Sequence, residues 1–403
     1  MTDDQSAEQA LLNHQFPVLD TMRAVGALAV FTTHVAFWAG AYTGNGVWGT
    51  VLARLDVGVS LFFVLSGFLL SRPYLARAFV GRPMPSVGRY YWKRILRIVP
   101  LYLVTALLAL TFIRKNDDLG ARDWLVTLTM ANTFVDNTLP NGLTHMWSLA
   151  VEATFYLILP LLMLLAIGRS RRPDPRRVLA LVLGMIAVSV WWELWGAPAA
   201  GGWSNGQPAQ WLPAYLGWFG IGIGLALIDL MRRRGIWSRL TSRVVSLAQQ
   251  PGSCWAMVAG LLLVTATPLA GPSMLAASTP GQMLAKNIAY GTIGGLVVLT
   301  GVFAHEGGAY HRFLTRHAAR HLGFISYGLF CLHLPVLHLV MRVMGWELFE
   351  GRFLAIWLIA LPVSLAAAEI AYRCVEAPSL RLKDLGRSRA ARTTDATRGT
   401  STR

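Results

Sequence analysis

The chain contains few cysteines, few acidic residues and few charged residues of any kind. Three of its 403 residues are cysteine, 20 are aspartate or glutamate, and only 14% are charged, whereas about a quarter of an average soluble domain is charged. The scattered cysteines show no metal-ligand spacing, which argues against a disulfide framework and against a zinc site. The sequence also lacks an internal repeat and a nucleotide-phosphate motif.

Apolar residues take the place of the missing charges. They make up 54% of the chain, and the mean hydropathy is +0.48. Apolar runs long enough to cross a bilayer as helices lie at 18–38, 52–70, 98–113, 146–168, 178–195, 211–231, 253–270, 287–304, 323–344 and 353–373. We therefore predict an all-α polytopic membrane protein with about ten transmembrane helices.

The predicted domain boundaries follow from these runs. Residues 18–376 form the ten-helix transmembrane domain. A short N-terminal segment, 1–17, precedes it, and a basic tail, 377–403, follows and is expected to be disordered. The N-terminal segment has no basic residue and so lacks the positive region of a signal peptide. We expect the first apolar run to remain in the mature protein.

The formal net charge of +16 arises from basic residues placed between the apolar runs. This placement argues against a nucleic-acid partner, which would require a basic patch on one soluble face. Every second connection is rich in arginine, beginning with the one after 52–70. Because cytoplasmic loops carry such an excess, we predict that both termini are cytoplasmic and that the protein is a multi-pass protein of the inner, or plasma, membrane.

The connections predicted to lie outside contain few basic residues, namely Arg114, Lys115, Arg122, Lys286 and Arg352. One of these connections includes an apolar segment at 124–134. A crossing there would invert the charge pattern of every later loop, so we interpret the segment as a re-entrant or interfacial helix on the outer face.

Two ionisable residues, Arg23 and His34, lie within the first apolar run. They are eleven positions apart, which places both side chains on the same face of a helix. Ionisable groups inside a membrane helix are energetically costly and usually face a bundle interior or a wet cavity. Both residues are therefore candidates for function.

Glu152, in the fourth run, is expected at about the depth of His34, and Ser148 lies four residues before it on the same face. A carboxylate next to an imidazole makes the ring a better general base for a hydroxyl. The alternative is a buried pair with a purely structural role. His333 and His338 lack such support and are interpreted as packing or cavity residues. His145, at the outer mouth, is a candidate acceptor contact or a surface histidine.

In the half of the bundle that is predicted to face the cytoplasm, the notable residues are small or basic. Ser66 and Gly67 reach the depth of Arg23, and glycine permits close approach of a backbone or a ligand. Lys93, Arg94 and Arg97 cluster where the third run begins. These three residues either anchor the protein by the positive-inside rule or bind phosphate, which guanidinium groups bind bidentately.

Six segments, in this order along the chain, resemble motifs of the membrane acyltransferase type 3 family. They are Leu19-Asp20-Thr21-Met22-Arg23 with His34, the segment 58–68 (GVSLFFVLSGF), the segment 93–100 (KRILRIVP), the segment 146–152 (MWSLAVE), the segment 325–333 (ISYGLFCLH) and the segment 375–378 (VEAP). Two positions depart from the family pattern: Thr21 replaces a common glycine, and Ser60 replaces a common aspartate, although Asp56 lies one turn earlier. No soluble hydrolase-like domain follows the last run, which suggests the stand-alone form.

The resemblance implies a membrane O-acyltransferase that takes an acyl group, usually acetyl, from cytoplasmic acetyl-CoA. The implied acceptor is a hydroxyl of an extracytoplasmic carbohydrate or lipid-linked molecule, such as a glycan or glycolipid. Acyl-CoA, this acceptor and membrane lipids are the expected partners, and no metal is expected. The implied catalytic residues are His34, Glu152 and Arg23.

Further site residues follow from the same motifs. Arg94 and Arg97 are expected to bind the CoA phosphates together with Lys93, and Ser66 and Gly67 are expected along the path of the pantetheine arm. Trp147, Ser148 and His145 are candidates on the acceptor side. The alternative function is a secondary transporter with a His/Glu/Arg proton relay. A non-catalytic scaffold leaves the intramembrane charges unexplained.

Overall fold

The computed structural model describes residues 3–168, 174–273 and 276–384. Within these ranges the chain forms helices and no strand, which confirms the all-α class. Ten long helices, numbered in chain order, are α1 Val18–Trp38, α2 Gly58–Phe79, α3 Val87–Phe112, α4 Trp147–Ile167, α5 Pro175–Trp191, α6 Leu212–Arg233, α7 Pro251–Thr265, α8 Pro280–Val302, α9 Ser326–Met344 and α10 Phe353–Ala371.

Shorter helices connect or extend these ten. They are Asp3–Asn13, Ala41–Gly44, Gly46–Ala53, Arg54–Val57, Arg114–Asn116, Ala121–Leu128, Asn132–Val135, Thr144–Met146, Trp192–Gly196, Ala197–Gly201, Pro208–Gln210, Ser238–Ala248, Pro268–Ala270, Ala309–Leu314, His317–Phe324, Tyr372–Glu376, Ala377–Arg381 and Leu382–Asp384. The predicted tail thus begins as helical turns, and its remainder, 385–403, lies outside the described residues.

Each of the ten predicted spans corresponds to one of the long helices. In the described part of the chain, eight helical runs are long and apolar enough to cross a membrane. A ninth crossing is formed if α7 is counted with Ser238–Ala248, which meets it at an angle of 77°. The tenth, α1, is not among these, and we attribute this to its polar residues Asp20, Arg23 and His34.

The long helices run alternately between two ends of the bundle. At the end that we call lower, Asp20 at the start of α1 pairs with Arg320, just before α9, at 3.1 Å. At the upper end, the backbone N–H of Phe349 donates to the carbonyl of Trp38 at 2.8 Å. We predict that the lower end faces the cytoplasm. The segment 124–134 lies near the upper end and forms only short helices, too short to cross a bilayer.

Glycines bring the central helices α2 and α6 into backbone contact. A Cβ atom added to Gly222 would lie 2.1 Å from the carbonyl oxygen of Val64, and one added to Gly67 would lie 2.2 Å from that of Phe219. Small residues at helix contacts are a common packing device in membranes, where apolar side chains gain little by leaving lipid. The contact fixes the position of α2 and of the polar side chain that it carries toward the centre of the bundle.

Candidate active site

A small cavity of about 80 Å³ opens in the lower half of the bundle, between α1, α2, α3, α4 and α9. We call it the lower cavity. Its polar lining comprises Arg23, Ser66, Arg94, Arg97, Ser148, Glu152, Tyr156, Ser326 and Tyr327. Since hydrocarbon cannot satisfy such groups, their convergence on one cavity indicates a site for a polar ligand.

Glu152 is held by hydroxyl groups on two helices. The Ser66 hydroxyl donates to Glu152 Oε1, and the Tyr156 hydroxyl, one turn further along α4, donates to the same oxygen at 2.6 Å. These hydrogen bonds fix the carboxylate against the cavity wall, where a charge-assisted bond is stronger than a neutral one.

The arginines of α3 differ in their pairing. Arg97 forms a salt bridge with Glu376 at 3.0 Å and lies over the ring of Tyr327 at 5.4 Å. Arg94 lies over the ring of Tyr156 at 5.6 Å, and its buried Nε atom has no hydrogen-bond partner among the described residues. An unsatisfied buried donor on a cavity wall is costly, so Arg94 is available to an anionic group of a ligand.

Three histidines from three helical segments lie together above the lower cavity, and we call them the histidine layer. His34 Nδ1 lies 3.1 Å from His333 Nε2. The ring centroid of His145 lies 4.5 Å from that of His333 and 6.1 Å from that of His34. His145 is 3% exposed, and neither of its ring nitrogens has a partner within the described ranges. Sequence reasoning did not anticipate His333 as a neighbour of His34.

Backbone carbonyls restrict where the ring protons sit. His333 Nδ1 lies 2.7 Å from the carbonyl oxygen of Phe330, so this nitrogen carries the proton and His333 Nε2 is an acceptor in the neutral ring. His34 Nδ1 lies 2.8 Å from the carbonyl oxygen of Val30 and therefore also carries its proton. His34 Nε2 is consequently left with a free lone pair, the form that a general base requires.

Phe330 stands between the lower cavity and the histidine layer. Its ring lines the cavity, and its centroid lies 5.0 Å from that of His145. Ser148, also on the cavity wall, donates to the carbonyl oxygen of His145 at 3.1 Å. The histidines are thus immediate neighbours of the cavity but not part of its lining.

A second cavity, which we call the upper cavity, has a volume of about 530 Å³. It is lined by Phe37 and Trp38, three and four residues after His34 on α1, and by Thr144, which precedes His145. The histidine layer therefore separates two cavities that lie toward opposite ends of the bundle.

The predicted site residues fall into three groups. Arg23, Ser66, Arg94, Arg97, Ser148 and Glu152 line the lower cavity, whereas His34 and His145 belong to the histidine layer. Lys93, Gly67 and Trp147 do not line the lower cavity. Gly67 packs on the backbone of Phe219, and the ring of Trp147 lies 5.3 Å from that of Tyr215.

The expected pairing of His34 with Glu152 is not formed. The hydrogen bonds of the His34 ring involve Val30 and His333, and those of the Glu152 carboxylate involve Ser66 and Tyr156. Glu152 lines the lower cavity, whereas His34 is absent from its lining. The positions along the two helices predicted equal depths for the two residues. In the structure the carboxylate lies in the lower cavity and the imidazole lies in the layer above it.

One of the two departures from the family pattern, Ser60, has a structural explanation. Ser60 is fully buried and donates to the carbonyl oxygen of Val57 at 2.8 Å, and a Cβ atom on Gly294 would approach its hydroxyl to 2.7 Å. Asp56 accepts from the Tyr290 hydroxyl and pairs with Lys286 at 2.8 Å. Asp56 therefore ties α8 to the upper end of α2 and does not reach the lower cavity.

No group of three histidine, cysteine, aspartate or glutamate side chains within 3–168, 174–273 and 276–384 is arranged to hold a metal ion. The histidine layer is no exception, because the Nδ1 atoms of His34 and His333 are directed to backbone carbonyls of their own helices.

The fold and the cavities define a multi-pass membrane protein with a polar site inside the bundle, and comparison with known sequences specifies its class. A family model described as an acyltransferase domain matches residues 16–373. The chain therefore belongs to this acyltransferase family and is a membrane O-acyltransferase. This assignment favours the transferase hypothesis over the transporter hypothesis.

Several curated proteins are similar over most of the chain. The acyltransferase MdmB of Streptomyces mycarofaciens is 30% identical over 93% of this chain and 94% of its own length. The putative peptidoglycan O-acetyltransferase YrhL of Bacillus subtilis is 27% identical over 91% of this chain and 55% of its own length. Nodulation protein 10 of Rhizobium leguminosarum bv. viciae is 25% identical over 90% of this chain and 93% of its own length. No solved structure matches the chain.

Proposed function

We propose that the protein transfers an acetyl group from cytoplasmic acetyl-CoA to a hydroxyl of an extracytoplasmic glycan, glycolipid or related acceptor. In this proposal the protein lies in the plasma membrane, the donor enters from the lower cavity and the acceptor enters from the upper cavity. The observation that carries the proposal is the histidine layer between these two cavities, with an accessible base on His34. The relative named as a peptidoglycan O-acetyltransferase supports acetyl as the group transferred.

The donor is proposed to bind through its phosphates at the lower end of the bundle. Arg94 has an unpartnered Nε atom, and Arg97 and Arg23 line the same cavity. Guanidinium groups bind phosphate oxygens bidentately, and Lys93, adjacent to Arg94, adds positive charge. The Phe330 ring, which lines the cavity and lies next to His145, is proposed to turn aside on donor entry and so join the cavity to the histidine layer.

His34 is the proposed general base. Its Nε2 atom takes the proton from the acceptor hydroxyl while the hydroxyl oxygen attacks the thioester carbonyl. The carbon–sulfur bond then breaks, and the imidazolium returns the proton to the departing CoA thiolate. His34 Nδ1–H is shared between the carbonyl oxygen of Val30 at 2.8 Å and His333 Nε2 at 3.1 Å, and both acceptors stabilise the transient positive charge. Glu152 is proposed to act on the donor side. Its negative charge balances part of the positive charge of the arginines in the lower cavity, and it orients the Ser66 and Tyr156 hydroxyls.

The proposal is tested first at the base. General-base catalysis typically contributes about 10²- to 10⁴-fold, so His34→Ala is expected to lower the rate of acetyl transfer by at least about 100-fold. CoA binding to the purified variant should remain near the wild-type value, because no phosphate contact is changed. His317→Ala, an exposed histidine remote from the cavities, is the matched control. Near-normal transfer by His34→Ala would contradict the assignment.

The donor site has its own test. Arg94→Gln is expected to raise the KM for acetyl-CoA by about 10- to 100-fold, the worth of one charged hydrogen-bonded contact, with a smaller effect on kcat. Arg89→Gln, on an exposed turn of the same helix, should leave both constants unchanged. If Arg94→Gln changes kcat alone, Arg94 does not bind the donor.

A further inference from the structure

An apolar groove on the side of the bundle has no role in the function proposed above. It lies between α3, α9 and α10 and has a volume of about 780 Å³. Its wall includes the exposed side chains of Val104, Leu108, Leu339 and Ile370. These side chains lie in the membrane-crossing part of their helices, so the groove opens toward lipid.

Three basic residues surround the upper end of this groove: Arg114, Lys115 and Arg342. All three are exposed, and none takes part in a salt bridge detected in the described part of the chain. Two other basic residues of the upper end are paired, Arg122 with Asp136 at 2.9 Å and Lys286 with Asp56 at 2.8 Å, and Arg352 is exposed and lies over the ring of Trp346 at 5.6 Å. Arg114, Lys115 and Arg342, three of the four exposed basic residues of this end that have no salt bridge among the described residues, therefore stand together at the head of an apolar groove.

The groove adjoins the upper cavity. Lys115 and His338 line both spaces, and the ring centroid of His338 lies 4.4 Å from that of Trp38. Trp38 is one helical turn above His34. A molecule lying in the groove can thus extend its head past Lys115 into the cavity above the histidine layer. Glu347 is the carboxylate in that cavity's lining and disfavours a second anionic group deeper inside.

We propose that the acceptor is an anionic lipid. Its hydrocarbon chain lies in the groove, its phosphate binds Arg114, Lys115 and Arg342, and its hydroxyl-bearing head group enters the upper cavity. The role given to the upper cavity rests on the function proposed above. The binding of an anionic lipid in the groove does not depend on it.

The dimensions of the groove agree with a long hydrocarbon chain. Leu101 and Phe112 are the first and last residues of α3 in its wall, and eleven residues of helix rise about 16 Å. This length exceeds half of a hydrocarbon core of about 30 Å. The groove therefore suits a long fatty acyl or isoprenoid chain rather than a water-soluble glycan.

Binding is tested with dioleoylphosphatidic acid as the anionic probe and dioleoylglycerol as its uncharged counterpart, by native mass spectrometry of the purified protein. Each basic residue near a membrane surface contributes about fivefold to anionic-lipid binding. The triple variant Arg114→Gln, Lys115→Gln, Arg342→Gln should therefore bind the anionic probe about 100-fold more weakly. Arg122→Gln, a basic residue outside the groove, should bind normally. Equal binding of both lipids, or normal binding by the triple variant, would overturn the proposal.

A groove-filling variant tests whether the hydrocarbon chain of the lipid lies in the groove. Ala367 lines the groove, and Ala367→Trp is expected to lower binding of the anionic probe at least tenfold. Leu161→Trp changes a 57% exposed side chain outside the groove and controls for a bulky residue facing lipid. If Ala367→Trp binds as tightly as Leu161→Trp, the chain does not lie in the groove.

The acceptor role is tested by the fate of the acyl group. Vesicles of native membrane containing the protein are supplied with radiolabelled acetyl-CoA, and label is measured in the organic-solvent extract. Label in the lipid fraction that disappears in the triple variant and in Ala367→Trp supports the proposal. Label confined to water-soluble or polymeric material overturns it, even if a bulk phospholipid occupies the groove. Failure of the proposed function looks different, because the label then stays on CoA in every variant.

Discussion

His333→Asn is expected to slow acyl transfer without altering the groups that bind the donor. The asparagine amide nitrogen takes approximately the place of Nδ1 and can still donate to the carbonyl oxygen of Phe330. It has no atom at the position of Nε2, which lies 3.1 Å from His34 Nδ1. The variant therefore removes one contact of His34 and retains the local hydrogen bonds of α9.

The expected magnitude follows from the charge that His34 acquires during transfer. A hydrogen bond to a charged group contributes about 1.5–3 kcal/mol, which corresponds to about a 10- to 150-fold decrease in kcat. His333→Gln places an amide group near the Nε2 position and should recover part of the lost rate. This comparison separates the support of His34 from a general effect on packing, because both variants remove the same buried ring.

The assay follows CoA release chromatographically. A thiol reagent is unsuitable because Cys374 is exposed. CoA binding should match that of the wild-type protein in both variants. A rate for His333→Asn within threefold of the wild-type rate would refute the role of His333. Equal losses in the two variants, with an unchanged dependence of rate on pH, would indicate packing alone.

The packing and pairing described above yield three further expectations. Gly222→Ala should lower the thermal unfolding midpoint strongly, whereas Gly224→Ala, whose new Cβ atom would meet only a side chain at 3.9 Å, should be tolerated. Arg97→Gln leaves the buried carboxylate of Glu376 without its partner and should destabilise the protein by about 3–5 kcal/mol; adding Glu376→Gln should restore much of this stability, and no restoration would contradict the pairing. In the folded protein N-ethylmaleimide, a small reagent that enters apolar regions as well as water, should modify Cys374 and spare the other two cysteines, which are buried; mass spectrometry of the labelled peptides measures this, and early modification of a buried cysteine would argue against the described packing.

The helices of the bundle were predictable from hydropathy, because a membrane requires long apolar segments with internally satisfied backbones. The boundaries were less predictable. The third apolar run begins at residue 98, but α3 begins at Val87, since its first turns continue beyond the apolar region with the basic residues of the lower cavity. The seventh run ends at residue 270, but α7 ends at Thr265, and the helix before it bends away sharply.

The lower cavity was largely predictable and the histidine layer was not. Positions along α1 to α4 gave the depth of Arg23, Ser66 and Glu152, and these residues do line one cavity. Depth does not specify which neighbour a side chain faces, so His34 was expected beside Glu152 rather than beside His333. The seven residues from Ser326 to His333 place His333 about 10 Å above the start of α9, and that distance could have marked it as a partner of His34.

The ring of Phe330 has a consequence for the energetics of the cell. Histidines can shuttle protons, so a layer of three neighbouring imidazoles inside a membrane bundle would let protons cross if water reached it from both sides. The Phe330 ring lines the lower cavity next to His145, and as an apolar group it offers water no hydrogen bond there. Replacing Phe330 by a small residue is therefore expected to speed the decay of a pH gradient across proteoliposomes, and an unchanged decay would contradict this role of the ring.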